Sequence, residues 1–267
     1  MFASLRQPGE RSRVANIFID QASNEIILIK RRLMKIAIMQ PYFFPYIGYF
    51  QLINLVDKFI VYDNIEFTKK GWINRNRILV HGQDSYITLP LKKDSDYLEV
   101  RDRSLADNWY TERKSLLNRI SGAYRNAPYF ELVFPLIEKC VLIQDRNLFR
   151  FIFNSLIVVN EYLQIKTPLV VSSTIPIDHD LKAEKKVLAL CKAMGATDYI
   201  NPIGGVKLYQ KDEFRSEGID LYFIKSADVM YQQFDHAFVP YLSIVDVMMF
   251  NSSDEIRLYL ASSFTLV

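Results

Sequence analysis

Four stretches of this 267-residue chain bring together side chains that bind anions, hydroxyls or amines. The first is Gln40-Pro41-Tyr42-Phe43-Phe44-Pro45-Tyr46-Ile47-Gly48-Tyr49. Its prolines stiffen a loop, and Gly48 lets backbone come close to a ligand at a helix start, where free N–H groups hold phosphate or carboxylate. Gln40, Tyr42, Tyr46, Gly48 and Tyr49 are therefore candidate substrate-binding residues. A well-packed aromatic turn is the plainer alternative. The second stretch begins at Asp63, after a β-type run, and continues through Glu66 to Lys69-Lys70-Gly71-Trp72-Ile73-Asn74-Arg75-Asn76-Arg77. Asp63 is the candidate general base. Lys70, Trp72, Asn74, Arg75, Asn76 and Arg77 suit phosphate, ribose or sugar. Strand alternation puts Asn74 and Asn76 on one face and Arg75 and Arg77 on the other, so only one pair can face a common ligand. The plainer alternative is a solvated charged turn.

The third stretch is Ser172-Ser173-Thr174 leading to Asp178-His179-Asp180. Hydroxyls after a strand bind phosphate, and a His between acids can act as a base. Ser172 and Ser173 are candidate binding residues and His179 a second catalytic candidate. Equally, His179 can decorate the surface and Asp180 can cap the next helix. The fourth is Tyr199-Ile200-Asn201-Pro202-Ile203-Gly204-Gly205-Val206-Lys207-Leu208-Tyr209. Here the amides of a tight turn at Gly204 and Gly205, beside Asn201, can cradle an anion or a sugar. Tyr231-Gln232 and Ser243 to Asp246 are polar insertions in apolar surroundings. Tyr231 is a candidate binding residue, while Ser243 is either a helix cap or a catalytic group.

These segments need a scaffold, and the hydrophobic pattern predicts one. Lys35–Met39 reads as a buried strand, Gly48–Val56 as a helix and Lys58–Tyr62 as a second strand, together a βαβ unit. Arg77–Val80 and Tyr86–Leu91 flank a glycine-containing loop and read as a hairpin. Trp109–Tyr124, Phe130–Ile143 and Leu148–Leu163 read as helices, with Pro135 kinking or delimiting the second. The α/β pattern resumes with strands at Leu169–Val171, Thr197–Ile200 and Leu221–Ile224 and a helix at Leu181–Met194. Helices at Tyr241–Phe250 and Glu255–Leu260 close the chain. The expected fold is α/β: a mostly parallel sheet with flanking helices, a β-hairpin insertion and a helical insertion at about residues 105–165. Residues 1–33 read as an extension upstream of a natural start at Met34, and 34–267 as a single domain.

Composition narrows the chemistry. With 33 basic and 30 acidic residues the net charge is +3, which lacks the basic excess of a nucleic-acid binder. Cys140 and Cys191 are the only cysteines and stand outside any metal-ligand spacing. No metal site is expected, and a reducing cytoplasm fits. No apolar run reaches the about 20 residues that span a bilayer. There is no nucleophile elbow, Walker motif or full dinucleotide fingerprint, so the cofactor is left unassigned.

Met39-Gln40-Pro41-Tyr42 with Pro45 and Gly48-Tyr49, Asp63 with Gly71-Trp72-Ile73-Asn74-Arg75-Asn76, Ser172-Ser173, Tyr199-Ile200-Asn201-Pro202 with Gly204-Gly205, Tyr231-Gln232 and Leu242 to Asp246 follow one another in an order that resembles the WbqC-like family of bacterial surface-polysaccharide clusters. The resemblance implies a role in O-antigen or capsule assembly: attaching glycine or another acyl group to the amine of a nucleotide-linked amino sugar. It implies a sugar-nucleotide substrate and an activated acyl donor, either aminoacyl-tRNA or ATP plus an amino acid. Tyr46-Ile47-Gly48-Tyr49 is also similar to the His-x-Gly-His of nucleotidylyl transferases and pantothenate-synthetase-like ligases, with both His positions occupied by Tyr. An ATP-dependent ligase or nucleotidyltransferase is thus one alternative. A non-catalytic sugar-nucleotide-binding protein is the other.

Overall fold

Strand β1, Lys35–Met39, is the pivot of the sheet. Ala37 packs with one apolar cluster and Ile36 and Ile38 with another on the opposite face, as expected of a central strand covered on both sides. The chain then forms helix α1, Ile47–Leu55, and returns as β2, Lys58–Val61, parallel to β1 with Ile36 opposite Lys58. The predicted βαβ unit is present. Much later, β5 (Leu169–Val171) adds to the far side of β2, while β6 (Asp198–Pro202) adds to the free side of β1. β7, Asp220–Ser226, runs parallel to β6, and β8, Phe264–Leu266, closes that edge antiparallel. The order β5-β2-β1-β6-β7-β8 reverses direction of growth at β1. The computed structural model describes residues 33–267, and Met34–Val267 form one compact unit. The expected extension, residues 1–33, lies outside the described residues except for Leu33.

The hairpin is a separate two-stranded sheet, β3 (Arg75–Val80) with β4 (Gln83–Thr88). Its connection is shorter than expected. His81 (φ 49°) and Gly82 (φ 74°) both take positive φ, the two-residue turn that matches strand twist. The helical insertion comprises α2 (Trp109–Tyr124), α3 (Phe130–Val141) and α4 (Leu148–Tyr162). Pro135 lies within α3 rather than ending it; the carbonyl it deprives of a partner belongs to exposed Glu131. Helices α5 (Ala183–Ala193) and α6 (Lys211–Ser216) follow, then α7 (Ile244–Phe250) and α8 (Ser253–Ser262). Asp180 does not cap α5, which begins three residues later behind Lys182. Ser243 is a helix cap: its Oγ accepts from the Val245 N–H at 3.2 Å. Tyr241, expected inside that helix, stands before it at φ 57°.

The hairpin, the helical insertion and the C-terminal helices are tied together at Asp246, which is fully buried. Its carboxylate accepts from Tyr124 Oη, Tyr231 Oη and Gln233 Nε2, each at 2.7 Å. Tyr124 Oη in turn accepts from the Leu79 N–H of β3 at 2.8 Å. Burial raises the Asp246 carboxyl above the usual range, and the three donors oppose that rise without cancelling it. Replacing Asp246 by Ala orphans three buried donors and should cost about 3 kcal/mol in urea unfolding. A folded-state pKa above the unfolded value of about 3.9 means the native state binds the extra proton, so this group's contribution declines as pH rises from that value through the raised one. Asp246→Asn should remove that segment of the stability–pH curve, read by thermal melts between acid and neutral pH.

Candidate functional site

Three of the four stretches converge where the sheet changes direction. A cleft of about 410 Å³ opens beyond the carboxyl ends of β1, β2 and β6, where open α/β sheets bind ligands. Gln40 enters it from the end of β1, Tyr62 and Glu66 from the segment after β2, and Asn201, Gly204, Gly205 and Tyr209 from β6 and its following turn. Burial holds the Tyr62 phenol up at about 12 and raises Tyr209 as well, so both offer O–H donors at neutral pH. Asn201 is nine-tenths buried, with only long contacts from Tyr199 Oη (3.3 Å) and to the Pro202 carbonyl (3.4 Å). A Cβ on Gly205 would fall 1.8 Å from Asn201 Nδ2, so glycine there makes room for the carboxamide.

A second cleft, about 220 Å³, shares Tyr42 with the first and is walled by Pro45, Tyr46, Trp72, Arg77 and Tyr241. The predicted alternation along β3 is realised: Asn76 is buried while Arg75 and Arg77 share the outer face with Trp72 and Tyr86. Trp72 stacks on Tyr86 (6.3 Å, 23°), Arg77 lies 5.6 Å over Trp72 and Arg75 lies 4.7 Å over Tyr86. The Arg77 guanidinium pairs with Asp84 at 3.1 Å and donates to the Tyr241 carbonyl at 3.2 Å. Burial keeps the Tyr42 phenol above its ordinary value. Aromatic faces beside a guanidinium bind planar or sugar rings and anionic groups attached to them.

The remaining candidates hold these walls in place. Asn76 Nδ2 donates to the carbonyls of Phe43 (3.1 Å) and Phe44 (2.8 Å), and Ser243 Oγ donates to Phe44 at 2.7 Å. The Phe44 backbone has φ 41°, and the two side chains clamp that turn. Tyr49 is buried and donates to the Gln40 carbonyl at 2.9 Å, and Gly48 sits where the Tyr46 and Ser226 hydroxyls meet at 3.3 Å. Asn74 donates to Leu89, Arg75 donates to the carbonyls of Lys70 and Gly71, and Lys70 is exposed at φ 61°. Tyr231 is held on Asp246 and lines a different, small cavity.

Asp63 and His179 belong to one network behind the first cleft. Asp63 is 2% exposed and accepts from Ser172 Oγ (2.7 Å), the Ser173 N–H (2.9 Å) and Ser173 Oγ (2.7 Å), which ties the end of β2 to the end of β5. Asn64 Oδ1 also lies 2.6 Å from Ser172 Oγ, and that hydroxyl has one proton to give. His179 contacts Asn64 Nδ2 through Nδ1 and the Ile175 carbonyl through Nε2, both at 2.9 Å. Buried Lys186 was not foreseen. Its ammonium donates to the Asn64 carbonyl at 3.3 Å and sits 5.4 Å from the Tyr62 ring centre; desolvation lowers its pKa. Its only sequence signal was polar character on an otherwise apolar helix face. Tyr62 and Tyr241 were missed because the hydrophobic pattern places them inside a strand and a helix, whereas both stand just outside those elements.

Among the described residues no group of three or more His, Cys, Asp or Glu side chains is arranged to hold a metal ion, and no helix is long and apolar enough to cross a membrane. The sequence profile of the WbqC-like protein family matches residues 40–258, which takes in both clefts and the clamps around them. The chain belongs to that family. It is similar to the uncharacterized protein Rv1507c of Mycobacterium tuberculosis, at 28% identity over 232 residues, 85% of this chain and 97% of the relative. No solved structure matches it.

The clamp on the aromatic turn has a measurable strength. Asn76→Ala should take the side-chain donor from the Phe43 carbonyl and one of two from Phe44, which keeps Ser243 Oγ, and lower unfolding free energy by about 1–2 kcal/mol. Asn76→Asp, which keeps the volume but turns a carboxylate oxygen toward those carbonyls, should cost more than the Ala variant in the same urea titration.

Proposed function

We propose that this chain is a transferase that joins an acyl group, glycine or a relative of it, to the amine of a nucleotide-linked amino sugar. One observation carries the reading: two clefts of different chemistry, one polar and one aromatic with Arg77, adjoin at Tyr42. That arrangement suits a reaction with two substrates, each in its own chamber with the reacting atoms near the shared wall. Membership of the WbqC-like family supports the substrate class.

In this reading the sugar amine attacks the carbonyl carbon of an activated donor, an oxygen ester such as aminoacyl-tRNA or an acyl adenylate made from ATP and an amino acid. The C–N bond forms, the C–O bond to the donor breaks, and the proton lost from nitrogen ends on the departing oxygen. Asp63 and His179 act as positioning groups: with both carboxylate oxygens and both ring nitrogens engaged, they fix the loops after β2 and β5. Arg77 and the aromatic wall hold the nucleotide diphosphate and its base.

An ATP-dependent ligase or nucleotidyltransferase is the second reading. It is supported by Tyr46, which stands at the start of α1 and faces the aromatic cleft. Tyr49, the other half of that motif, is committed to the Gln40 carbonyl and weakens it. Pyrophosphate release from ATP and a small acid without any sugar would favour this second reading.

The deciding assay is amide formation on a nucleoside-diphosphate 4-amino-4,6-dideoxyhexose, followed by mass spectrometry with each donor in turn. Product is expected with one donor class, and Arg77→Ala should raise the sugar-nucleotide KM about tenfold or more through the lost charge-assisted contact. Folded protein that is stabilised by the sugar nucleotide but forms no product with any donor would instead mark a binding protein.

A further inference from the structure

The polar cleft has a composition that specifies its occupant more narrowly than the reading above, on which this inference rests. Its polar lining consists of two carboxamides, Gln40 and Asn201, three phenols, Tyr42, Tyr62 and Tyr209, and one carboxylate, Glu66. Among the described residues no Lys or Arg lines it. Carboxamides and neutral phenols both donate and accept, which matches hydroxyls spread around a ring. A phosphate dianion finds no cation in the lining and meets the Glu66 carboxylate, so it is disfavoured. A protonated amine finds the reverse.

The available partners agree. The Gln40 and Glu66 side chains have no hydrogen-bond partner among the described residues, since only Gln40's backbone carbonyl is used, by Tyr49. The Asn201 amide is buried yet held only by contacts of 3.3 and 3.4 Å, packed into the place that a Cβ on Gly205 would take. Lys186 lies against the Tyr62 ring and donates to the Asn64 carbonyl, outside the lining. Division of labour between the two clefts follows: Arg77 and the aromatic faces serve the nucleotide, and the polar cleft serves the ring that carries the amine.

We infer that the cleft at the ends of β1, β2 and β6 is an amino-sugar subsite, in which Glu66 binds the ammonium and receives its proton while Gln40 and Asn201 read ring hydroxyls. Glu66 is then a specificity-determining residue and the base that takes the first proton and frees the attacking nitrogen; the second, lost as the C–N bond forms, goes to the departing oxygen, and Glu66 returns its own to water.

The test is calorimetric binding of three probes without any acyl donor: thymidine-diphosphate-linked 4-amino-4,6-dideoxyglucose, its 4-hydroxy analogue and its 4-acetamido analogue. The full-length protein should bind the amine about tenfold or more tighter than either analogue, as a charge-assisted hydrogen bond provides. Glu66→Gln keeps size and should erase that preference; Glu66 is exposed and makes only a backbone bridge to Glu99, so folding is spared. Gly205→Ala, which crowds the Asn201 amide, should weaken all three probes alike and leave the amine preference intact. Equal affinity for the three probes, absence of binding, or an undiminished preference in Glu66→Gln overturns the inference. Because no acyl donor enters this experiment, it fails or holds independently of the transfer assay. Product without amine discrimination would sink the subsite and leave the transferase.

Discussion

Parallel pairing of β1 on both sides, with β2 on one and β6 on the other, is the constraint from which the rest follows. A crossover that leaves β1 toward β2 and another that arrives at β6 must diverge above the strand ends, because each packs its helix on its own face. The gap between them is the polar cleft. Nothing has to be carved into the core to make it. The apolar clusters on the two sheet faces stay intact while the cleft's polar groups gather at the rim.

The aromatic cleft has a different origin. It is built by docking the hairpin against the turn that follows β1, and backbone carbonyls hold that docking. Asn76 and Ser243, from distant parts of the chain, both donate to Phe44, and Asn76 donates to Phe43 as well. Asp246, three residues after Ser243, collects tyrosines from the helical insertion and from the segment before α7. A short C-terminal stretch therefore fixes the hairpin and the aromatic turn together. That is why residues that read as ligand-binding types serve as fasteners. Buried amides and carboxylates pay for their desolvation only when every donor and acceptor is matched, and these are.

The same distinction reorders the candidate catalytic groups. Asp63 stands after a strand in an α/β rim, the place for a base, yet its oxygens are engaged by Ser172 and Ser173. Glu66, three residues on, pairs with Glu99 through its backbone alone, and its side chain lines the cleft. The clamped carboxylate and the one that lines the cleft are near neighbours in sequence with opposite environments, Asp63 buried and Glu66 exposed.

What the chain alone determined was the element order and the neighbourhoods. Runs such as Lys-Ile-Ala-Ile-Met and Lys-Phe-Ile-Val are too short and too apolar to be anything but buried strands, and Ser243 carries its own cap signal, so these are local decisions. The alternation along Arg75 to Arg77 was likewise legible, because it depends only on the two-residue period of a strand. Tertiary structure alone decided which polar residue faces solvent and which faces a backbone carbonyl. Asn76 and Asn201 look alike in sequence, yet one donates to the carbonyls of Phe43 and Phe44 while the other, packed against a glycine, has only contacts of 3.3 and 3.4 Å. The antiparallel edge β8 and the burial of Lys186 were hidden for the same reason. A side chain's partner is set by segments more than 100 residues away, for Lys186 the carbonyl of Asn64, and no local period encodes that distance.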